Sequence, residues 1–241
     1  MEFPTALLGV ALGTVLLPSL SAASSAKDET RYRALLDWGL RLTLVLAVPC
    51  ALGLALMAEP LTALLFHYGR FEARDVRMTA LTLQAYAIGL PGLIAVKVLA
   101  PGFFARQDVR TPVRIALVVL AVTQLLNLAL VPWLAHVGLP LSTSLAALIN
   151  ASLLLAGLVR AKAWSPAPGW WRLAAQVAFA GLALGLLLAW TVPRFDWIAL
   201  RATPALRIAF VLGIVAAGAA VYGGALILAG VRPRQFLRRE P

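Results

Sequence analysis

Residues 112–135 read PVRIALVVLAVTQLLNLALVPWLA, and Arg114, near the start, is the one ionisable residue among them. A helix of this length rises about 36 Å, enough to cross a ~30 Å hydrocarbon core. Strict alternation of apolar and polar residues, the mark of a membrane barrel strand, is missing. Without water in the core, every backbone group has to be satisfied inside the segment, so the stretch reads as a transmembrane helix.

Outward from it the pattern repeats. Apolar segments of comparable length occupy about 4–22, 42–66, 79–104, 138–160, 171–193 and 206–230. The whole chain is 61% hydrophobic and 13% charged, where a soluble domain carries about 25% charged residues. The expected fold is therefore all-α: a polytopic membrane bundle of about seven transmembrane helices. Residues 6–17 followed by Ser21-Ala22-Ala23 look somewhat like a secretory signal. The region ahead of them holds Glu2 and no basic residue, so the first segment is expected to stay as a helix.

The net charge of +11 would suggest nucleic acid in a soluble protein. Here the basic residues lie between apolar segments, which makes them orientation signals and rules nucleic acid out as the expected partner. If the end of the first helix is cytoplasmic, that side holds Lys27, Arg31, Arg33, Arg41, Arg106, Arg110, Arg114, Arg160, Lys162, Arg172, Arg232, Arg234, Arg238 and Arg239. The other side holds Arg70, Arg74, Arg77, Arg194, Arg201 and Arg207. Fourteen against six predicts a cytoplasmic C-terminus, with anionic lipid headgroups or an anionic substrate as partners.

Pro49, Pro91 and Pro101 fall inside apolar runs and should kink or break them unless neighbours satisfy the freed carbonyls. Thr111 followed by Pro112 reads as an N-cap with proline at the first helical position. Trp164, Trp170 and Trp171 mark one interface, and Trp190, Phe195 and Trp197 the other. The single cysteine, Cys50, excludes an intrachain disulfide, and His67 and His136 lack companions for a metal site. No phosphate loop, nucleophile elbow or catalytic carboxylate pair is present, so an enzyme is not expected, and neither is a cofactor.

Three ionisable residues stand out as cavity candidates. Lys97 lies deep in an apolar run, where a charge implies a hydrophilic cavity or snorkelling to the interface. Arg41 opens the second helix beside Trp38, suited to a phosphate, a partner helix or the interface itself. Glu2 begins the first. Thr123 and Asn127, one turn apart on one face, and Thr143 on the next helix are either a cation-binding oxygen set or interhelical hydrogen-bonders, as are Gln124, Ser142, Ser144, Asn150 and Ser152.

Several segments together are similar to a known family. Gly9 through Ser21 (GVALGTVLLPSLS), Leu36 through Leu42 (LDWGLRL), Gln124 through Leu128 (QLLNL) and Ile149 through Leu154 (INASLL) resemble segments of the MurJ/MviN lipid II flippases. Val96 through Val113 (VKVLAPGFFARQDVRTPV) resembles the most distinctive stretch of that family. The resemblance runs essentially end to end and implies helices eight to fourteen of a fourteen-helix, two-lobe exporter with alternating access around a cationic cavity. It implies that the substrate is lipid II, the polyprenyl-pyrophosphate-linked peptidoglycan precursor, carried across the bacterial inner membrane for cell-wall synthesis.

On this reading residues 1–165 form the five-helix second-lobe bundle. Residues 166–241 hold two helices forming a groove for the lipid tail, followed by a basic tail. Expected partners are lipid II, membrane lipids, a first lobe and the peptidoglycan synthesis or division machinery. The family's first lobe, and an Asp-Arg pair that precedes Glu2, have no counterpart in these 241 residues. In some members an Asn, an Asp and a Thr hold sodium; Thr123, Asn127 and Thr143 are the counterparts here, one carboxylate short. Coupling to a monovalent cation or to the membrane potential is the implied drive. The rival readings are a non-transporting membrane scaffold and an exporter of another lipid-linked glycan.

Overall fold

The computed structural model describes residues 11–231, with side chains from Leu16 onward. Among them are eight α-helices: α1 (Ala11–Ser25), α2 (Glu29–Leu56), α3 (Ala58–Phe66), α4 (Ala73–Ala105), α5 (Arg110–Leu134), α6 (Gly138–Arg160), α7 (Trp170–Thr191) and α8 (Pro204–Leu228). Short 3-10 turns at Ala135–Val137, Val192–Arg194 and Ala199–Ala202 complete the described elements, and no strand occurs among them. α2, α4, α7 and α8 are each long and apolar enough to cross a membrane, as is the continuous 110–160 stretch that holds the α5–α6 hairpin. With α1, this is the expected set of seven segments; Glu2 and the basic tail from Arg232 lie outside the described residues.

The helices outrun their apolar segments because polar residues start them. Asp28 accepts the Arg31 N–H at 2.9 Å, so α2 begins thirteen residues before its apolar run. Asp75 accepts the Glu72 N–H at 2.9 Å at the head of α4. At α5 the expected cap is displaced: the helix starts at Arg110, and Asp108 accepts the Thr111 N–H at 3.0 Å. Hydrogen bonds from Thr111, first its hydroxyl and then its N–H, hold the Asp108 carboxyl below its usual range.

Helix ends on one side share a device. Lys27, Gln107, Lys162 and Gly230 all take positive φ (56°, 60°, 52° and 89°) just past α1, α4, α6 and α8. The next residue's N–H then reaches back to Ala23, Phe103, Leu158 and Leu226 O at 2.9–3.1 Å. This is the Schellman closure, which satisfies carbonyls the helix leaves unpaired.

The prolines do not break their helices: Pro49 lies inside α2, and Pro91 and Pro101 lie inside α4. At Pro49 the reason is visible. Proline lacks the N–H that would bind Val45 O, and the Tyr222 hydroxyl of α8 donates to that carbonyl instead, at 2.7 Å. The break in the second apolar segment falls at Met57, between α2 and α3.

Two cores lie on opposite faces of α2. Leu16, Leu20, Tyr32, Leu36, Leu90, Ile94 and Leu158 join α1, α2, α4 and α6. Val45, Ala63, Val177, Leu184, Val211 and Tyr222 join α2, α3, α7 and α8. Lipid tails are as apolar as leucine, so close approach rather than expulsion from water holds such helices together. α4 and α6 approach closest: Gly89 lies against Ser144 and Gly92 against Ala147, and the Ser144 hydroxyl donates to Ala85 O at 2.7 Å. α5 is the outlier, with Pro112 and Val119 its buried residues and Leu117, Leu125, Leu128 and Trp133 exposed.

Candidate functional site

The starts of α2 and α7 meet the ends of α4, α6 and α8 at one end of the molecule. Arg106 pairs with Glu29 at 2.9 Å and stacks 5.3 Å over the Tyr32 ring, whose hydroxyl donates to Gly102 O. Arg33 donates to Lys162 O at 2.8 Å. Every one of these residues belongs to the set assigned to the cytoplasmic side by charge or to its immediate helix ends.

A groove of about 890 Å³ opens at this end between α2, α7, the 165–169 linker and the end of α8. Its organising residue is Asp37, buried on α2. One carboxylate oxygen accepts Arg41 Nε at 2.6 Å, one turn along the helix. The other accepts Trp170 Nε1 at 2.7 Å and the Ala167 N–H at 3.5 Å, both from the far side of the linker. Arg41 in turn donates to Pro168 O at 3.0 Å and lies 5.3 Å over the Trp170 ring. Trp164 meets Trp170 edge to face at 5.9 Å. The linker is thus stapled to α2 from both sides.

Arg33, Arg41 and Arg172 line the groove against the single carboxylate of Asp37. Asp37 is already engaged, so the surplus charge is cationic. Guanidinium N–H groups present paired donors to phosphate or carboxylate oxygens. The groove therefore suits an anionic group.

The sequence candidates are not gathered in one place. Arg41 lines the groove. Lys97 is exposed on α4, is absent from the groove lining and makes no ion pair among the described residues. The hydroxyls of Thr123 and Thr143 donate within their own helices, to Val119 O at 2.7 Å and Leu139 O at 3.0 Å. Asn127 Oδ1 is buried with no hydrogen-bond partner, the one unfilled acceptor of that set. No cluster of three His, Cys, Asp or Glu that could hold a metal occurs among the described residues.

Asp37, Arg33 and Arg172 were not singled out as site residues from the sequence, and Trp170 was read only as an interface marker. The Asp37–Arg41 spacing of four was a legible signal for the pair, but the linker contacts, some 130 residues away in the chain, were not.

The sequence model of the family described as lipid II flippase MurJ matches residues 1–206. The chain belongs to the MurJ family. A MurJ relative named lipid II flippase MurJ, from Burkholderia cenocepacia, is 51% identical over 239 residues, covering 99% of this chain and 46% of its own length. Relatives named probable lipid II flippase MurJ, from Haemophilus influenzae and Vibrio cholerae, are 34% and 33% identical over 100% and 96% of the chain, spanning 48% and 44% of theirs. The chain thus spans about half the length of the MurJ relatives it matches. Its fold is similar to a solved structure titled lipid II flippase MurJ, inward closed conformation, with a TM-score of 0.68 at 20% identity, over 93% of this chain and 45% of that one. It is a multi-pass membrane protein of the MurJ fold.

Proposed function

We propose that this chain is the second lobe of a lipid II flippase and moves the peptidoglycan precursor from the cytoplasmic to the periplasmic leaflet of the bacterial inner membrane, acting with a first lobe. The observation that carries this reading is the 51% identity, across nearly the whole chain, to a protein named lipid II flippase. The arginine distribution supports an orientation in which the groove and the C-terminus face the cytoplasm. A transporter needs no covalent chemistry, in keeping with a binding rather than an enzymatic role.

In this reading Arg41 and its groove receive the pyrophosphate at the cytoplasmic surface. Lys97, on an open face of α4, contributes to the cavity that a first lobe closes; Glu2, outside the described residues, is a further candidate for that role. The α7–α8 pair carries the polyprenyl tail. Exposed Phe179, Leu182, Leu186, Leu212 and Val215 supply an apolar surface for it. Thr123, Asn127 and Thr143 are the candidate cation contacts, with the unfilled Asn127 Oδ1 as the supporting observation.

The test is complementation in cells depleted of their own lipid II flippase. Growth is expected when the chain is co-expressed with a first lobe, and not with the chain alone. Arg41→Ala and Lys97→Ala are expected to abolish that growth while the protein still reaches the membrane. Growth with the chain alone, or full growth with both variants, would overturn the reading. A membrane scaffold would instead retain its partners with no transport in either arrangement.

A further inference from the structure

At the opposite end of the molecule, Arg207 sits in the first turn of α8 with 0% of its surface exposed, the largest fully buried side chain among the described residues. None of its three guanidinium nitrogens has a hydrogen-bond partner. Neither ion pair among the described residues involves it. Of the acidic residues flanking this end in sequence, Asp196 accepts the Ile198 and Ala199 N–H groups and Asp75 accepts that of Glu72, while Glu59 and Glu72 form no ion pair with Arg207. What covers the guanidinium is the turn after α3. The Tyr68 ring lies 4.9 Å from it, and Arg201 holds that turn by donating to Gly69 O at 2.7 Å.

A buried guanidinium without a counter-charge is among the most costly arrangements a protein can hold, and an aromatic face offsets only part of the cost. Neither His67 nor Arg201, the two titratable groups it acts with, adds a negative charge. His67, 3% exposed, also has an unpaired Nδ1. Burial, then the charges of Arg201 and Arg207, hold His67 below its usual range, which leaves it neutral. The amino end of α8 adds its own partial positive charge. Unused N–H donors, a full positive charge and a helix start thus converge on one enclosed point.

We propose that the niche between the 67–69 turn and the first turn of α8 binds a small inorganic anion, a halide such as chloride, through Arg207. Enclosure selects the size: a site with its guanidinium fully covered leaves no path for the ester chain of a lipid phosphate. The anion pins the turn after α3 to the start of α8. This site does not depend on lipid II transport, and its test reads binding rather than flipping.

The experiment uses the full chain in detergent micelles. Chloride is exchanged for gluconate at constant ionic strength while thermal unfolding and the 35Cl NMR linewidth are followed. A saturable rise in Tm with chloride is expected, together with excess line broadening that bromide displaces. Both should vanish in Arg207→Met and persist in Arg160→Met, the control at an exposed arginine at the opposite end. Arg207→Met should fold, since it removes a buried charge together with its desolvation cost. Should Arg207→Met nevertheless fail to fold, displacement of the broadening by bromide in the parent chain, and its loss in Arg207→Lys, decide the matter. No chloride-dependent shift or broadening in the parent chain overturns the proposal, as does an equal response in Arg207→Met. A response to inorganic phosphate but not to chloride overturns the size argument and the halide with it.

Discussion

Adding one methyl group to Gly89 tests whether α4 and α6 are held by direct backbone contact. A Cβ at position 89 would stand 2.4 Å from Ser144 Cα and 2.7 Å from both its Cβ and Oγ. Carbon atoms pack at about 3.5–4.0 Å, so the helices have to part by roughly 1 Å. Backbone atoms form the obstacle, and no rotamer change relieves it. Parting them also stretches the bond from Ser144 Oγ to Ala85 O and loosens the contact of Gly92 with Ala147. Overpacking costs about 1–3 kcal/mol, and an interhelical hydrogen bond in a membrane protein about 0.6 kcal/mol. Gly89→Ala should therefore lose about 2–4 kcal/mol. Gly213→Ala makes the same chemical change where nothing lies within 4 Å and should gain up to about 1 kcal/mol from helix propensity. Thermal unfolding of the three chains in one detergent, followed by the fraction remaining monodisperse, gives the comparison. If Gly89→Ala melts with the parent chain, or no lower than Gly213→Ala, the reasoning about this interface is wrong.

Four further outcomes are expected. Tyr222→Phe strands the Val45 carbonyl and should cost about 1–3 kcal/mol; adding Pro49→Ala, which returns an N–H to that carbonyl, should recover most of it in a double-mutant cycle. Gln107→Gly should stabilise by up to about 1 kcal/mol in thermal unfolding, because the left-handed conformation there strains any residue with a Cβ. Asp37→Ala should cost about 1–2 kcal/mol, less than a fully buried pair because Arg41 is 24% exposed, and faster amide hydrogen exchange at residues 167–170 should report the released linker. His67 holds fewer protons when folded than in the unfolded chain, where it titrates near 6.5. Stability should therefore be full above that pH and decline as the pH falls below it, until the folded state is protonated too; His67→Gln should flatten that decline in Tm measured against pH.

The seven apolar segments were legible because lipid imposes a length and a composition on anything that crosses it. The helix starts were less so, since Glu29 and Ala73 open helices in polar sequence outside the membrane-length window. Nothing in the sequence marked Met57 as the end of α2, while three prolines that did suggest breaks were absorbed. Proline announces a missing donor, but whether a neighbour supplies one depends on a contact as remote as Tyr222. The site shows the same limit. Arg41 and Asp37 could be paired by their spacing, and Lys97 flagged by its depth, yet the groove exists through a linker that returns to α2. Arg207 counted as one loop arginine among six. Only packing reveals that it is the most enclosed cation described, because the sequence around Pro204 fixes where α8 starts but not which way its first turn faces.

The bond between Tyr222 and Val45 also constrains the order in which this chain acquired its residues. A chain with Tyr222 and no proline at 49 merely shares one carbonyl between two donors, which costs little. A chain with Pro49 and phenylalanine at 222 leaves that carbonyl without a donor beside the core that Val45 shares with Val177 and Leu184. By single steps, the path that acquires the hydroxyl first avoids the cost of a bare carbonyl. Once the proline is in place, losing the tyrosine carries a cost that it would not carry with an N–H at position 49.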